Sequence, residues 1–161
     1  MLIEEANGAR DSMSLSPKGL EFVKRHEGLK LKPYLDAAGY KTIGYGHKIL
    51  RGEDYSDGIT EEQATVLLRR DVQYAVDAVN ASLKRPLSQN QFDALVDLAF
   101  NEGPVSVAKG NEMMRAVNAG HVSESNFTAY RYVKVKGRYE VSQGLLNRRE
   151  REWVLYSKGR F

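Results

Sequence analysis

Two carboxylic acids and a hydroxyl group stand close together near the start of the chain, at Glu27, Asp36 and Thr42. Eight residues separate Glu27 from Asp36, and five separate Asp36 from Thr42. Cleavage of a glycosidic bond needs two carboxylates in unlike surroundings across a cleft, one to donate a proton and one to handle water. We therefore interpret the rest of the chain as the scaffold and substrate groove for these three residues.

The sequence around each carboxylate predicts a different environment. Glu27 continues the apolar face of a helix that begins at Ser16-Pro17 and stops at Gly28, so partial desolvation should raise its pKa and keep it protonated. Asp36 lies in a polar turn, where it should stay ionised. Taken singly, each group also has a structural interpretation, because a helix-end glutamate, a turn aspartate and a strand threonine are all common.

Length and composition fit one globular domain, since 161 residues with 42% hydrophobic and 28% charged side chains are ordinary values. The sequence contains no cysteine, so it can form no disulfide bond. No apolar run approaches the length of a membrane span, and the polar N-terminal residues do not resemble a secretory signal peptide. We expect no cofactor and no metal site.

The net charge of +3 is unevenly distributed. Residues 131–161 contain nine Lys or Arg and three Asp or Glu, a net charge of +6, so the other 130 residues carry −3. A basic C-terminal end favours an anionic polymer as partner, whether cell wall, nucleic acid or membrane surface. The alternative interpretation is a solvated helix face with no partner.

The pattern of apolar and turn residues predicts an α+β, mainly helical fold with a small lobe, a long connecting helix and an all-helical lobe. The predicted strands cover residues 31–34, 42–45 and 57–59, and the helices after the connecting one cover 88–102, 111–119, 123–132 and 143–157. A ligand site is expected in a cleft between such lobes. We divide the chain into a flexible arm (1–14) and a single domain (15–161), composed of a sheet-bearing catalytic lobe (15–60), a connecting helix (61–80) and a helical lobe (81–161).

Four further residues are candidates for substrate binding: Tyr45, His47, Asn101 and Arg148. Tyr45 lies between two glycines and either lines a sugar groove or packs internally. His47 has no Cys, Asp or Glu at metal-ligand spacing around it, which disfavours a metal site. Asn101 either ends a helix or places an amide in the cleft, and Arg148 either pairs with acids or contacts anionic substrate groups.

Taken together, three segments resemble the phage-type lysozymes of glycoside hydrolase family 24. The first holds the spacing of Glu27, Asp36 and Thr42 within residues 26–28, 34–36 and 42–47. The second combines residues 91–95 with 99–103, and the third is residues 144–150. The matches appear in the family's order and span roughly residues 16–156, whereas residues 131–142 fit the family pattern poorly.

The resemblance implies a lysozyme-like fold and a bacteriolytic muramidase, a phage endolysin that cleaves the β-1,4 bond between N-acetylmuramic acid and N-acetylglucosamine in peptidoglycan. By position, Glu27 is implied as the general acid, and Asp36 and Thr42 as the groups that position or activate water. An inverting reaction is implied, with carboxylates about 6.5–9.5 Å apart.

The resemblance also sets expectations about partners and location. The expected partner is the peptidoglycan glycan strand, with no nucleic acid, no stable membrane insertion and a monomeric chain. Some relatives carry an N-terminal signal-anchor helix, and we see none here. We therefore expect the protein to wait in the host cytoplasm until release and then to act on peptidoglycan in the periplasm.

Other functions remain open at this point. A lytic transglycosylase cleaves the same bond with one acid and no water, and the presence of Asp36 and Thr42 argues against it. A cell-wall-binding module with an inactive site and a nucleic-acid binder using the basic C-terminal end belong to other classes, although no nucleic-acid motif is recognisable. An interbacterial toxin or a tail-associated lysin would keep the chemistry and change the biology.

Overall fold

The computed structural model describes residues 11–161, and all structural statements refer to this range. Its helices and strands are α1 (Pro17–Glu27), β1 (Lys30–Leu35), β2 (Lys41–Gly44), β3 (His47–Lys48), α2 (Glu61–Ser82), α3 (Gln89–Glu102), a 3-10 helix (Pro104–Val107), α4 (Glu112–Ala119), α5 (Glu124–Thr128), β4 (Tyr132–Val135), β5 (Arg138–Val141) and α6 (Gln143–Lys158). The α+β, mainly helical class predicted from the sequence is confirmed.

The chain forms two compact units. The small unit is Leu20–Gln73, and the large unit combines residues 11–19 with Tyr74–Phe161. Residues 1–10 of the predicted flexible arm lie outside the described residues. At the end of that arm, the backbone N–H of Met13 donates to Asn80 Oδ1 at 2.9 Å, and the Asn80 amide donates back to the Met13 carbonyl at 2.8 Å.

Helix α1 begins and ends as the sequence predicts. Pro17 is its first residue, and the Ser16 hydroxyl accepts a hydrogen bond from the Gly19 N–H at 3.0 Å, which caps the first turn. Gly28 follows the last residue with a φ of +73°, and its N–H donates to the Lys24 carbonyl at 3.0 Å. A left-handed glycine is the usual way to end a helix, so Glu27 stands at a defined helix terminus.

The small unit contains a three-stranded antiparallel sheet in the order β1-β2-β3. Tyr34 pairs with Thr42 across β1 and β2, and Ile43 pairs with His47 across β2 and β3. The prediction of a third strand at residues 57–59 is wrong, because that segment is a turn joined to β1 only through the Ile59 N–H and the Leu31 carbonyl (2.9 Å). One such bond does not make a ladder, and the third strand is His47–Lys48.

Helix α2 starts at the predicted capping box. The Thr60 N–H donates to Gln63 Oε1 at 2.9 Å, and the Gln63 N–H donates to Thr60 Oγ1 at 3.1 Å, so two otherwise unpaired groups satisfy each other. The helix ends at Ser82, two residues beyond the prediction. Its buried residues recur at helical spacing and include Ala64, Leu67, Leu68, Val72, Ala75, Val76 and Val79.

Helix α3 is the centre of the large unit, because eight consecutive residues, from Phe92 to Ala99, are buried. It packs against α6, and α6 also packs against α5. The rings of Phe127, Trp153 and Tyr156 form a cluster with centroids 5.5–6.3 Å apart, which joins α5 to α6. Helix α3 stops at Gly103 and Pro104, as predicted.

The large unit differs from the predicted all-helical lobe in one segment. The helix predicted over residues 123–132 ends at Thr128, and residues 132–141 form the β4–β5 hairpin. Lys136 and Gly137 connect its strands with φ values of +50° and +81°. Two residues with positive φ are what a tight type I′ turn needs, and the right-handed twist of such a turn matches that of the strands.

Two adjacent arginines of α6 anchor a buried ion cluster in the large unit. Arg148 forms a two-pronged pair with Asp97, with Nε and Nη2 lying 2.9 and 2.8 Å from the carboxylate oxygens. The fully buried Arg149 contacts Glu152, Glu102 and Asn101 at 2.6–2.9 Å. Removing one member of a buried ion pair costs about 3–5 kcal/mol, so these contacts hold α3 and α6 in register.

A second ion cluster holds β3 in the small unit. The His47 ring contacts Asp71 through Nδ1 at 2.7 Å and Glu53 through Nε2 at 2.9 Å. Glu53 also accepts from the Leu50 N–H at 2.7 Å and from the Tyr55 hydroxyl at 2.9 Å. The ring therefore ties β3 to α2 and to the loop after β3.

Both sides of this cluster have shifted pKa values. Burial lowers the pKa of His47, but hydrogen bonds to Glu53 and Asp71 and their negative charges outweigh burial, so the pKa is raised overall. The Leu50 N–H, followed by His47 and Tyr55, lowers the pKa of Glu53 to about 2. The charged forms of both groups are favoured in the folded chain.

His47→Asn is expected to remove a pH-dependent part of the stability. Because the folded pKa of His47 is raised, the imidazolium stabilises the fold fully below its ordinary pKa of about 6.5, and this contribution is lost as pH rises through the folded value. One hydrogen bond to a charged group contributes about 1.5–3 kcal/mol, so the loss of two predicts a destabilisation of at least that size at mildly acidic pH. Urea unfolding across a pH series measures it.

The parent chain should also lose stability as pH falls from the ordinary glutamate pKa towards about 2, because the pKa of Glu53 is lowered to that value.

His121→Asn, which removes an exposed imidazole elsewhere in the chain, is the matched control for His47→Asn. Equal alkaline slopes for the parent and His47→Asn would contradict a charged ring in this cluster.

Candidate active site

The small unit contains all three predicted catalytic residues. Glu27 is the half-buried last residue of α1, Asp36 follows directly after β1, and Thr42 is buried on β2. The helix stop at Gly28 and the hairpin between β1 and β2 set the backbone positions of all three. Regular elements hold the groups more firmly than a long loop would.

The carboxyl group of Glu27 lies directly over Gly46. A Cβ atom built on Gly46 would be 3.0 Å from Glu27 Oε1, and Gly46 has a φ of +78°. The left-handed backbone favours glycine here, and a Cβ atom would also force the Glu27 carboxyl group to shift by a few tenths of an ångström. The tight turn between β2 and β3 therefore lies next to the carboxyl group of Glu27.

Tyr34 links the two carboxylates electrostatically. It stands directly opposite Thr42 in the β1–β2 ladder, so the two side chains are neighbours on one face of the sheet. Its pKa is raised by burial first, then by the negative charges of Asp36 and Glu27. Both carboxylates therefore act on the same phenol, although burial has the larger effect on its pKa.

Asp36 makes the turn that the sequence predicts, but with only one of its oxygens. Oδ1 accepts hydrogen bonds from the Ala38 N–H at 2.9 Å and the Tyr40 N–H at 2.8 Å. From the described part of the chain, Oδ2 accepts no hydrogen bond. The structural and catalytic interpretations of Asp36 are therefore compatible, since one oxygen fixes the carboxylate and the other can take a proton.

The hydroxyl of Thr42 has a fixed direction. It donates to the Tyr40 carbonyl at 2.9 Å, and the residue is only 2% exposed. A hydroxyl that donates its only proton keeps both oxygen lone pairs as acceptors. Thr42 is thus suited to hold a water molecule by accepting a hydrogen bond from it.

Two of the predicted substrate-binding residues lie in the small unit. His47 is 6% exposed and both of its ring nitrogens contact carboxylates, so its observed contacts are structural. These partners could not be predicted from the sequence, because Asp71 is distant along the chain and Glu53 lies in an irregular loop. The ring of Tyr45 is also buried, with the Lys24 ammonium 5.4 Å from its centre.

The other two predicted substrate-binding residues lie in the large unit, where both belong to the buried ion cluster. Arg148 pairs with Asp97, which is the acid-pairing alternative weighed from the sequence. Asn101 accepts from Arg149 at 2.8 Å. The sequence signal for this cluster is Asp97, a carboxylate within the apolar run of α3.

Within residues 11–161, no group of three or more His, Cys, Asp or Glu residues is arranged to hold a metal ion. A concavity of about 690 Å³ is lined by Tyr34, Leu35 and the loop of residues 49–56. This volume is large enough for a small ligand beside Tyr34.

Comparison with known proteins is consistent with this geometry. The chain is 38% identical to an endolysin of Acyrthosiphon pisum secondary endosymbiont phage 1, over 89% of this chain and 98% of that protein. Among solved structures, it is similar to the endolysin of Escherichia coli O157:H7 phage FAHEc1, with a TM-score of 0.86 and 38% identity over 92% of this chain and 96% of that one.

A second solved structure is the muramidase domain of SpmX from Asticaccaulis excentricus, with a TM-score of 0.80 and 33% identity, covering 90% of this chain and 98% of that one. The family model described as phage lysozyme matches residues 24–152, a range that includes Glu27, Asp36 and Thr42. The chain therefore belongs to the phage lysozyme family.

Proposed function

We propose that this phage lysozyme hydrolyses the β-1,4 bond between N-acetylmuramic acid and N-acetylglucosamine, with Glu27 as the general acid. The observation that carries the proposal is the placement of Glu27 at the end of α1, against Gly46, beside the β1–β2 hairpin that holds Asp36 and Thr42. A related solved structure is named a muramidase domain, and related sequences are named endolysins. Peptidoglycan is the substrate that fits both names.

In the proposed reaction, Glu27 donates its proton to the oxygen of the departing sugar. A water molecule attacks the anomeric carbon from the opposite face, and its proton passes to Asp36. The fixed acceptor direction of Thr42 supports a role in orienting that water. We propose inversion of the anomeric configuration, because the nucleophile in this scheme is water rather than the second carboxylate.

Substrate contacts by the remaining candidates are proposals of unequal support. We propose that Tyr45 and Asn101 bind sugar. The charged contact of Tyr45 is with its ring rather than its hydroxyl, and that of Asn101 is with its amide oxygen rather than its amide nitrogen. His47 and Arg148 have much weaker support, since carboxylates occupy the polar atoms of both side chains.

We also propose that the protein is a monomer that meets peptidoglycan only after the host membrane opens. The endolysin relatives support this route. Among residues 11–161, no helix combines the length and apolar character needed to cross a membrane. Lysis of intact cells only after chloroform permeabilisation would support the route, whereas lysis without it would contradict it.

Glu27→Gln should abolish hydrolysis while leaving the fold intact, because it replaces the proton donor by a group of nearly the same shape. General acid catalysis contributes roughly 10²–10⁴-fold, so activity should fall by at least that factor. The measurement is mass spectrometry of fragments released from purified peptidoglycan. Glu21→Gln is the matched control, because Glu21 is an exposed residue of the same helix that pairs with Lys24.

The products of the same digestion separate the competing chemistries. Reducing-end muramic acid from the parent chain only would support hydrolysis through Glu27. A 1,6-anhydro product would instead identify a lytic transglycosylase and remove the water-handling role of Asp36. Fragments from Glu27→Gln at the parent rate would show that the acid is assigned wrongly.

Thr42→Val should lower kcat by roughly 10²-fold, because it keeps the branched shape and removes the group that accepts a hydrogen bond from water. Thr42→Ser keeps the hydroxyl and should retain most of the activity. Initial rates of reducing-end formation, with circular dichroism to check folding, measure the difference. If valine and serine reduce kcat equally, the hydroxyl has no part in the reaction.

A further inference from the structure

The β4–β5 hairpin is the most exposed regular element of the large unit. All eight of its strand residues are exposed, and Tyr139 is 72% exposed. Its base is closed by the Ser142 N–H, which donates to the Arg131 carbonyl at 2.8 Å. An isolated two-stranded hairpin is marginally stable in water, so its exposed tyrosines and valines call for an explanation beyond folding.

The hairpin is also strongly basic. Residues 131–141 contain four cations, at positions 131, 134, 136 and 138, and one carboxylate, Glu140. Within the described residues, Lys134, Lys136 and Arg138 form no ion pair with a carboxylate. These three charges are therefore available to an external anion.

The register divides the hairpin into two faces. Tyr132 pairs with Val141 and Lys134 with Tyr139, so these four side chains share what we call the aromatic face. Val133 pairs with Glu140 and Val135 with Arg138, so these four share the opposite face. Both faces are exposed, but the two rings lie on one of them.

On the aromatic face the rings and the cations alternate. The Lys134 ammonium lies 5.8 Å from the centre of the Tyr139 ring, and the Arg131 guanidinium lies 4.6 Å from that of Tyr132. Arg131 Nη2 also donates to the Tyr132 hydroxyl at 2.7 Å. Tyr132 and Tyr139 are diagonal neighbours across the two strands. The backbone positions of such a pair are about 7–8 Å apart, which is within reach of aromatic side chains.

We propose that the aromatic face of this hairpin, in the large unit, is a further contact for peptidoglycan. The Tyr132 and Tyr139 rings pack on sugar faces, and Lys134 and Lys136 pair with carboxylates of the stem peptides. Tyrosine supplies a large, stiff contact surface at low cost in side-chain entropy. The proposal rests on the proposed function, because it takes the substrate of the enzyme as the partner.

Two other anionic partners fit the hairpin less well. An anionic membrane takes up an amphipathic element through one apolar face and one charged face, whereas here each face mixes apolar and charged groups. Nucleic acid binding depends on neutralising many phosphates, and the whole chain carries a net charge of only +3. Peptidoglycan offers sugar faces and spaced carboxylates together.

The test is binding to purified sacculi in the Glu27→Gln background, so that the substrate is not consumed. Hydrofluoric acid treatment of the sacculi removes phosphate-linked wall polymers and leaves stem-peptide carboxylates as the source of negative charge. Lys134→Gln with Tyr139→Ala changes the aromatic face. Val135→Ala with Arg138→Gln is the matched control, because it removes one charge and one exposed apolar side chain from the opposite face.

The aromatic-face variant should bind sacculi about tenfold more weakly, which corresponds to about 1.4 kcal/mol, while the opposite-face variant binds as its parent does. Amidation of the sacculus carboxylates should weaken the parent and bring it close to the aromatic-face variant. Both variants should unfold at nearly the parent temperature, because every changed residue is exposed.

Equal binding of both variants and their parent would overturn the proposal. So would a loss confined to single-stranded DNA or to vesicles containing anionic phospholipid, which would assign the hairpin to that partner instead. These outcomes do not depend on catalysis. Failure of the hairpin contact is therefore distinguishable from failure of the muramidase assignment, which the product analysis tests.

Discussion

The large unit depends on placing two adjacent arginine side chains, Arg148 and Arg149, out of contact with water. A buried guanidinium is tolerable only when carboxylates surround it, so α3 and α6 must align with Asp97, Glu102 and Glu152 around the pair. Burial raises the pKa of Glu152 well above its ordinary value, the neighbouring Asp97 raises it further, and the arginines oppose both effects. Helix register is therefore fixed by charge as well as by packing.

The ends of helix α1 and the β1–β2 turn depend on contacts between residues close together in the sequence, which is why they could be predicted from it. Three local hydrogen-bonded features define them: the Ser16 cap before Pro17, the helix stop at Gly28 and the turn at Asp36. Each joins residues that are two to four positions apart in the sequence. These local signals determine where Glu27, Asp36 and Thr42 stand along the chain. The spacing of the three residues along the sequence therefore predicted the helix end, the turn and the strand on which they lie.

What escaped prediction depends on partners distant in sequence or on competing local signals. No spacing rule links His47 to Asp71, because only the folded sheet and helix bring them together. In the β4–β5 hairpin, the alternation of Val133 and Val135 and the Lys136-Gly137 turn were readable, but an expected helix before them obscured the pattern. A carboxylate within an apolar helical run, such as Asp97, indicates a buried ion pair, but its spacing does not reveal which cation is the partner.

The turn beneath Glu27 also limits how this protein can be stabilised. Replacing glycine by alanine usually raises stability by about 0.4–1 kcal/mol, because it reduces the conformational freedom of the unfolded chain. At Gly46 that gain is reversed, since the left-handed backbone disfavours any Cβ atom and the acid occupies the space the atom would need. Replacing this glycine would lower the entropy of the unfolded chain, but it would also disturb the position of Glu27, the proposed proton donor. The proposed function and greater rigidity therefore conflict at a single residue.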